Sequence, residues 1–314
     1  VTAPDQTAVP AGEKKVIVSF RAVGEGHISS LVFREGILDK QNNLKLITNR
    51  NTIVDMPEKI TRYLYDKSKF VQKMREMNLP ERICALVEQK LKDTFIFEEL
   101  SECLEPHATS TVLNAAEKAL LPQVIWLAKS HYEVTFSLDT AIAERVLFPV
   151  TYRESNGIED VRLVQFVDDS GESTYYGTYT AYNGVSFFPK MIETKDFYTF
   201  KISPVHGPHV RNKGLAFFPK KINGRYAMLA RIDGVNNYIM YSDDIYVWQG
   251  DAILLQKPEQ PWELMQVGNS GSPLETPQGW LVITHSVGAM RQYSLGAILL
   301  DLNNPEKIIG RLKE

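Results

Sequence analysis

The sequence predicts a β-propeller that is interrupted by an α-helical insertion. Strand-like runs separated by turn residues fill the chain from residue 132 onward, whereas residues 57–131 carry a helical pattern. A weak repeat supports the propeller, because acidic turns at Asp196, Asp244 and Asp301 each follow a similar set of strands. Their intervals of 48 and 57 residues are close to the roughly 50 residues of a four-stranded blade. An irregular β-sandwich is the alternative.

Three segments follow from this pattern. Residues 1–56 are a loose Pro/Ala/Gly-rich terminus followed, from Lys15, by the first blade. Residues 57–131 form the insertion, with helix starts predicted at Pro57 and at the Leu79-Pro80-Glu81 segment, and a last stretch at 108–129 that Pro122 breaks or kinks. Residues 132–314 form further blades.

Composition excludes several classes of protein. Of 314 residues, 44% are hydrophobic and 23% are charged, which excludes collagen, a long disordered chain and a disulfide scaffold. A net charge of −3 gives no basic excess for a nucleic-acid partner, and no apolar run approaches a membrane span. Cys84 and Cys103 lack the spacing of a metal site and are expected to be reduced core residues. We expect a cytoplasmic protein, although a chain that starts at Val1 says little about compartment.

Two adjacent carboxylates are the first candidates for chemistry. Glu159 and Asp160 lie in S-N-G-I-E-D-V-R, between a glycine turn and an apolar strand that is expected to start at Val161. Adjacent residues of a strand point to opposite faces, so one of the two is expected to face a given pocket. A solvated acidic turn is the alternative.

Several cations lie near the ends of consecutive predicted strands. They are Arg211, Lys213, Arg231, His285 and Arg291. Each alone is typical of a surface position, or of a strand-end histidine. If the strand ends converge on a central channel, the cations would form an anion pocket suited to phosphate.

The segment G-N-S-G-S-P at 268–273 is similar to the nucleophile loop of a chymotrypsin-type protease, with Ser270 as nucleophile. That mechanism needs a histidine and an aspartate. His27 is the histidine in view and no aspartate partner is evident, so a tight Gly/Ser turn between strands is favoured instead. The sequence has no zinc, P-loop or dinucleotide motif, and we expect no metal and no cofactor.

Longer segments carry a specific resemblance. They are N-G-I-E-D-V-R (156–162), T-Y-T-A-Y-N-G (178–184), R-N-K-G-L-A-F-F-P-K-K-I-N-G-R-Y-A-M-L-A-R (211–231), Y-S-D-D (241–244), G-W-L-V-I-T-H (279–285) and G-A-I-L-L-D-L-N-N-P-E-K-I-I-G-R-L (296–312). Together they resemble glycoside hydrolase family 130, the β-mannoside phosphorylases and related mannosidases, over residues 15–50 and 133–314. R-A-V-G-E-G-H-I-S-S (21–30) and the helical block resemble its longer, glycosidase-related branch.

The resemblance implies a five-bladed β-propeller and an inverting enzyme with one catalytic acid, Asp160. It implies a β-mannoside oligosaccharide and inorganic phosphate as substrates, with mannose 1-phosphate as product. The cations named above would hold phosphate. Sugar or phosphate contacts are expected from Arg21, Glu159, Tyr182, Asn183 and Asn269.

Departures from the family pattern leave alternatives open. E-D-V-R replaces the common E-D-P-R, Thr284-His285-Ser286 replaces Y-H-G, and Gln266 stands where a lysine is common. Loss of that cation favours a hydrolase that uses water. A non-catalytic carbohydrate-binding propeller is a further alternative.

The count of β-type residues leaves one blade unaccounted for. Without the insertion and the loose start, about 225 residues remain, enough for four blades of roughly 50 residues. We therefore expect the closing blade to lie outside this sequence or to come from a partner chain, since an open propeller exposes sheet edges. The insertion would cover the channel, pack on the propeller side or form a homo-oligomer contact.

Overall fold

Antiparallel sheets make up most of the chain, of which the computed structural model describes residues 1–6, 9–24, 28–47, 54–60, 63–151, 154–182 and 187–312. The strands are β1 Lys14–Val23, β2 Ser29–Leu38, β3 Leu44–Leu46, β4 Glu58–Ile60, β5 Tyr65–Asp66, β6 Thr94–Phe95, β7 Tyr132–Thr135, β8 Val146–Leu147, β9 Gly157–Val167, β10 Ser173–Tyr182, β11 Phe187–Thr194, β12 Thr199–Pro204, β13 Lys213–Phe217, β14 Tyr226–Arg231, β15 Asn237–Ser242, β16 Ile253–Gln256, β17 Gln266–Asn269, β18 Leu274–Thr276, β19 Gly279–Val287, β20 Tyr293–Leu300 and β21 Ile308–Arg311. The helices are α1 Lys67–Glu76, α2 Glu81–Lys90, α3 Phe97–Thr109, α4 Ala115–Lys118 and α5 Leu121–Lys129.

The largest sheet has the strand order β1-β2-β9-β10-β11-β12-β7-β4, with β3 and β8 also paired to β2. Its strands β9 to β12 form an antiparallel meander. The β1–β2 hairpin joins this meander through one parallel pair, Ser29 with Gly157. Gly157 has φ +128°, and a Cβ there would lie 2.2 Å from Ser29 Oγ, so the junction requires glycine.

Two further meanders follow, β13-β14-β15-β16 and β17-β19-β20-β21, the latter with β18 paired to β19. Successive sheets pack face to face. Val164 and Met191 of the largest sheet share a buried cluster with Phe217 of the second, and Phe218 packs on Trp280 of the third with ring centroids 5.2 Å apart. The second sheet thus has a sheet on each face, an arrangement typical of propeller blades rather than of a two-sheet sandwich. A ring of five blades stays an expectation.

The insertion differs in detail from the sequence-based prediction. The helix expected at Pro57 begins at Lys67, because the preceding residues form β4, which pairs with β7, and β5, which pairs with β6. Asp66 caps α1 by accepting a hydrogen bond of 3.0 Å from the Lys69 amide. The predicted start before Glu81 is confirmed by α2.

The last predicted helical stretch is two helices, α4 and α5. Pro122 lies in the first turn of α5, where the missing N–H is tolerated, so it begins a helix rather than kinking one. Helix α3 was not predicted as a separate element. Cys84 and Cys103 are buried and form no disulfide among the described residues.

The insertion has its own core and packs against the edge of the largest sheet. Trp126 contacts Phe188 with ring centroids 4.9 Å apart. Lys73 donates a 3.0 Å hydrogen bond to the carbonyl of Val205. These contacts attach the helices beside strand β11, whose first residue, Phe187, reaches the candidate active site.

In the described part of the chain, no helix is both long and apolar enough to cross a membrane.

Candidate active site

Asp160 lies in a β-bulge of β9, where Asp160 and Val161 together face a single residue of β10, Tyr179. Asp160 has φ +55°, a left-handed conformation that is uncommon outside glycine. Bulges of this kind redirect side chains and occur next to active sites. The sequence-based expectation of a strand starting at Val161 is wrong, since β9 already starts at Gly157, and simple alternation of Glu159 and Asp160 does not apply across the bulge.

Asp160 is exposed and borders a cavity that shares Ser19 and Val161 with a larger one. It lines a cavity of about 130 Å³ together with Ser19 and Arg21. A larger cavity of about 400 Å³ continues past Ser19 and is lined by Arg162 and Ser270. The carboxylate is therefore accessible at the edge of a space that two cations border.

Glu159 is held by two cations. Its Oε1 accepts a hydrogen bond from Arg21 Nη2 at 2.8 Å and its Oε2 accepts one from Lys213 Nζ at 3.0 Å. The Lys213 ammonium also lies 4.3 Å from the centroid of the Phe187 ring, a cation–π contact. Three of the predicted site residues thus come together, although they lie far apart in the sequence.

A second bulge lies at Gly214 in β13, where Gly214 and Leu215 face Ala230 of β14. Gly214 has φ +87°, and a Cβ there would lie 3.1 Å from Arg162 Nη1. Glycine is needed both for the backbone conformation and for the approach of the guanidinium.

Arg162 is a site residue that the sequence analysis did not single out. Its Nη1 donates to Asn269 Oδ1 at 2.8 Å, and Asn269 Nδ2 donates to the carbonyl of Gly214 at 2.8 Å. Asn269 is fully buried, so it fixes the arginine against the second sheet. Burial lowers the pKa of Arg162 to about 10, with Asp160 opposing that shift and Arg231 adding to it. The sequence did contain a signal for this residue, because Arg162 is the last residue of the E-D-V-R motif.

Arg231 is the last residue of β14 rather than a residue beyond it. Its Nη1 lies 3.3 Å from His285 Nε2, and its buried Nε has no partner among the described residues. With the Gln266 amide oriented to satisfy its neighbours, the Gln266 oxygen accepts from Arg231 Nη1 at 3.0 Å. Burial lowers the pKa of Arg231, opposed chiefly by Asp160. Gln266, which stands where the resemblance leads us to expect a lysine, therefore contacts this arginine.

His285 lies within β19, which continues to Val287, and not at its end. Burial, followed by the charges of Arg231 and Arg162, lowers the pKa of His285 to about 4, so the ring is neutral near pH 7. Because Arg231 is a donor, His285 Nε2 accepts its hydrogen bond and Nδ1 carries the proton. Nδ1 then donates to Ser270 Oγ at 3.4 Å.

This arrangement does not fit a serine protease. In the catalytic triad one histidine nitrogen faces serine and the other faces a carboxylate, whereas the second nitrogen of His285 faces Arg231. The segment around Ser270 is also not a turn between neighbouring strands, since β17 and β18 both pair with β19 on either side of it. His27 lies outside the described residues.

The remaining predicted residues form fewer contacts with the site or lie outside the described residues. Arg211 and Arg291 are exposed, and no hydrogen bond or ion pair joins either to the other site residues in the described ranges. Tyr182 stacks on Phe187 with ring centroids 5.0 Å apart. Asn183 lies outside the described residues.

The described residues include no group of three or more His, Cys, Asp or Glu side chains that could hold a metal ion. The site instead combines a bulged carboxylate, an ion-paired glutamate and two half-buried arginines beside a neutral histidine. Such a set can hold an anion next to a proton donor.

Comparison with known proteins identifies the family. A family model described as beta-1,4-mannooligosaccharide phosphorylase, of glycoside hydrolase family 130, matches residues 115–314. The chain is 34% identical over 168 residues to 1,2-beta-oligomannan phosphorylase of Thermoanaerobacter sp., covering 52% of this chain and 54% of that protein. It is 30% identical over 195 residues to beta-1,2-mannobiose phosphorylase of Listeria innocua, covering 60% and 52%.

Structural comparison agrees at the level of the fold. A putative glycoside hydrolase from Bacteroides ovatus superposes with a TM-score of 0.52 at 14% identity, covering 100% of this chain and 72% of that one. The chain spans about half the length of the curated relatives that it matches. Since the family model covers residues 115–314 and thus most of the chain, the protein belongs to glycoside hydrolase family 130.

Proposed function

We propose that this protein cleaves β-mannosides by inverting phosphorolysis and releases mannose 1-phosphate. One observation carries the proposal: four cationic side chains gather around two carboxylates. Arg21 and Lys213 share Glu159, and the charge of Asp160 raises the pKa of Arg162 and of Arg231 against the effect of burial. The excess of two positive charges is suited to bind a phosphate anion.

Asp160 acts as the general acid in this proposal. It gives its proton, by way of a sugar hydroxyl, to the glycosidic oxygen, and the bond between that oxygen and the anomeric carbon breaks. A phosphate oxygen forms the new bond to the same carbon from the opposite face, which inverts the configuration. The cations Arg162 and Arg231 orient the phosphate and reduce its repulsion from Asp160.

The state of Glu159 favours phosphate over water as the attacking group. A hydrolase with this geometry needs a second carboxylate that takes a proton from water. Both oxygens of Glu159 are hydrogen-bonded to cations, which makes it a poor base. Phosphate needs no such base because it is already an anion. The curated relatives described above are likewise named phosphorylases.

Product analysis tests the proposal. The protein is incubated with β-1,2-mannobiose or β-1,4-mannobiose, with and without inorganic phosphate, and products are separated by anion-exchange chromatography. Mannose 1-phosphate that forms only with phosphate is the expected result. Mannose formed equally fast without phosphate would identify a hydrolase instead, and binding of the mannobioses without either product would identify a carbohydrate-binding protein.

A further inference from the structure

A second cavity lies where the helical insertion meets the β-sheets. Its volume is about 190 Å³, and its walls include Tyr63, Tyr65, Lys69, His131, His206 and Tyr246. These residues come from the start and the end of the insertion and from segments that follow β12 and β15. None of the residues of the candidate active site lines it.

His206 lines this cavity and carries a buried polar atom without a partner. Its side chain is only 3% exposed, and its Nδ1 is buried without a hydrogen-bond partner among the described residues. Burial, with smaller effects from Lys73 and His131, lowers the pKa of His206 well below its usual value. The ring is therefore neutral near pH 7, with one nitrogen that donates and one that accepts. Buried polar groups are normally paired.

His131 presents a second neutral imidazole. Its Nδ1 lies 3.1 Å from the carbonyl of Leu127, so Nδ1 donates and Nε2 is left as an acceptor. The two imidazole rings lie 6.2 Å apart, at an angle of 30°. Burial lowers the pKa of His131 to about 3. Together the two rings supply hydrogen-bonding atoms without charge.

The lysine at the cavity is already paired. Lys69 forms an ion pair of 2.7 Å with Asp244 and lies 4.7 Å from the centroid of the Tyr246 ring. Asp66 is an exposed carboxylate that accepts the capping hydrogen bond of α1. An added anion would therefore meet Asp66 and no free lysine at the cavity, whereas the two uncharged imidazoles favour a neutral ligand.

The walls favour a sugar among neutral ligands. Tyr63 and Tyr65 pack edge to face with centroids 4.9 Å apart, next to the two imidazoles. A pyranose ring presents apolar C–H faces to aromatic rings and hydroxyl groups, each both donor and acceptor, to imidazole nitrogens. A space of about 190 Å³ is below the roughly 300–1,000 Å³ of sites for drug-sized ligands, so it suits one ring rather than an oligosaccharide.

We propose that this cavity is a second carbohydrate site that binds a single neutral hexopyranose residue through His206 and the tyrosine-lined wall. A bound sugar there would bridge the insertion and the sheets. The proposal depends on the proposed function only in the choice of mannose as the sugar.

The test is a titration with mannose, in the absence of phosphate, followed by the imidazole signals of the histidines in NMR spectra. It uses Asp160→Asn as the background, so that no turnover occurs at the candidate active site. Saturable shifts of the His206 and His131 signals are expected. Shifts confined to His285, or no saturable shift, would overturn the proposal.

Two variants separate recognition from folding. His206→Phe keeps an aromatic ring but removes both nitrogens, and we expect at least a tenfold loss of mannose affinity at this site with an unchanged or raised Tm. Ser203→Leu fills the cavity from another wall and should have the same effect on binding. His209→Phe, three residues beyond His206 and outside the cavity, is the matched control and should bind as before. Unchanged binding in both cavity variants would contradict the proposal.

The result is independent of the main reaction. Mannose 1-phosphate production by His206→Phe should stay within about twofold of the unsubstituted protein, because the variant leaves the candidate active site intact. If mannose binds at His206 while no mannose 1-phosphate forms, the proposed function fails and the second site stands. The reverse outcome rejects only the second site.

Discussion

Glu159 and Lys213 occupy equivalent positions in two successive sheets and form an ion pair of 3.0 Å. Each directly precedes a bulge residue with positive φ, Asp160 at +55° and Gly214 at +87°. The repeated bulge thus brings a glutamate from one sheet and a lysine from the next to the same place. Because the pair is largely shielded from water, it ties the two sheets together where Asp160 is exposed.

Asp160→Asn should reduce formation of mannose 1-phosphate by about 10²- to 10⁴-fold, the usual contribution of a general acid. The amide keeps the shape of the side chain but has no proton to give at neutral pH. Initial rates with β-mannobiose and phosphate measure the effect. Asp169→Asn, a change at an exposed aspartate paired with Lys221, is the control and should keep full activity. Equal rates for the two variants would remove Asp160 from the mechanism.

Arg231→Met should raise KM for phosphate by roughly ten- to a hundredfold, because it removes one charge-assisted contact. KM for the mannoside should change less. The control is Arg225→Met. Arg225 is exposed, lies just before the same strand and pairs with Asp243. Steady-state rates over a range of phosphate concentrations separate the two effects. A KM for phosphate unaffected by Arg231→Met would place the anion elsewhere.

Gly214→Ala should lower both stability and phosphate affinity. The new Cβ would lie 3.1 Å from Arg162 Nη1, so the guanidinium must move. Gly224→Ala is a matched control, because its φ of +78° carries the same backbone strain while no atom lies within 4 Å of the added carbon. Both changes cost about 1–2 kcal/mol of backbone strain. The loss of phosphate affinity should appear only at Gly214, as measured by calorimetric titration.

Lys190→Met should destabilise the fold by about 3–5 kcal/mol, because it leaves Glu154 as an unpaired buried charge. The two side chains are fully buried and form an ion pair of 2.8 Å. Lys195→Met breaks an exposed pair with Glu172 and should cost no more than about 1 kcal/mol. Urea unfolding of the two variants gives the comparison, and similar losses would show that burial does not decide the cost.

Acid should destabilise the protein through its neutral, half-buried histidines. The pKa of His285 is lowered to about 4 and that of His131 to about 3, while both are near 6.5 in the unfolded chain. Between pH 6.5 and these values, the unfolded state binds protons that the folded state does not, so stability falls as pH falls. Replacing His131 with Gln should flatten the dependence of unfolding free energy on pH between 6.5 and 3. An unchanged slope would contradict the lowered pKa.

The sequence correctly indicated the family, a mostly β fold and helices between residues 57 and 131. The turn spacing and hydrophobic patterns are local, and so is the proline before Glu81 that marks the start of α2. The sequence did not indicate strand β4 or the start of α1 as late as Lys67. Both depend on strand pairing over long distances in the chain, such as that of β4 with β7.

For the candidate site, too, some features could be predicted from the sequence and others could not. The sequence alone determined which chemical groups were available: the E-D-V-R carboxylates and arginine, the R-N-K lysine, Arg231 and His285. Only the tertiary structure decided that Arg162 joins them, that Arg211 and Arg291 are exposed without a hydrogen bond or ion pair to them among the described residues, and that His285 is neutral. The physical reason is that the side chains of the site come from strands of different sheets. Their burial, their charge interactions and the bulges that direct them depend on distances between these strands, which no local sequence pattern encodes.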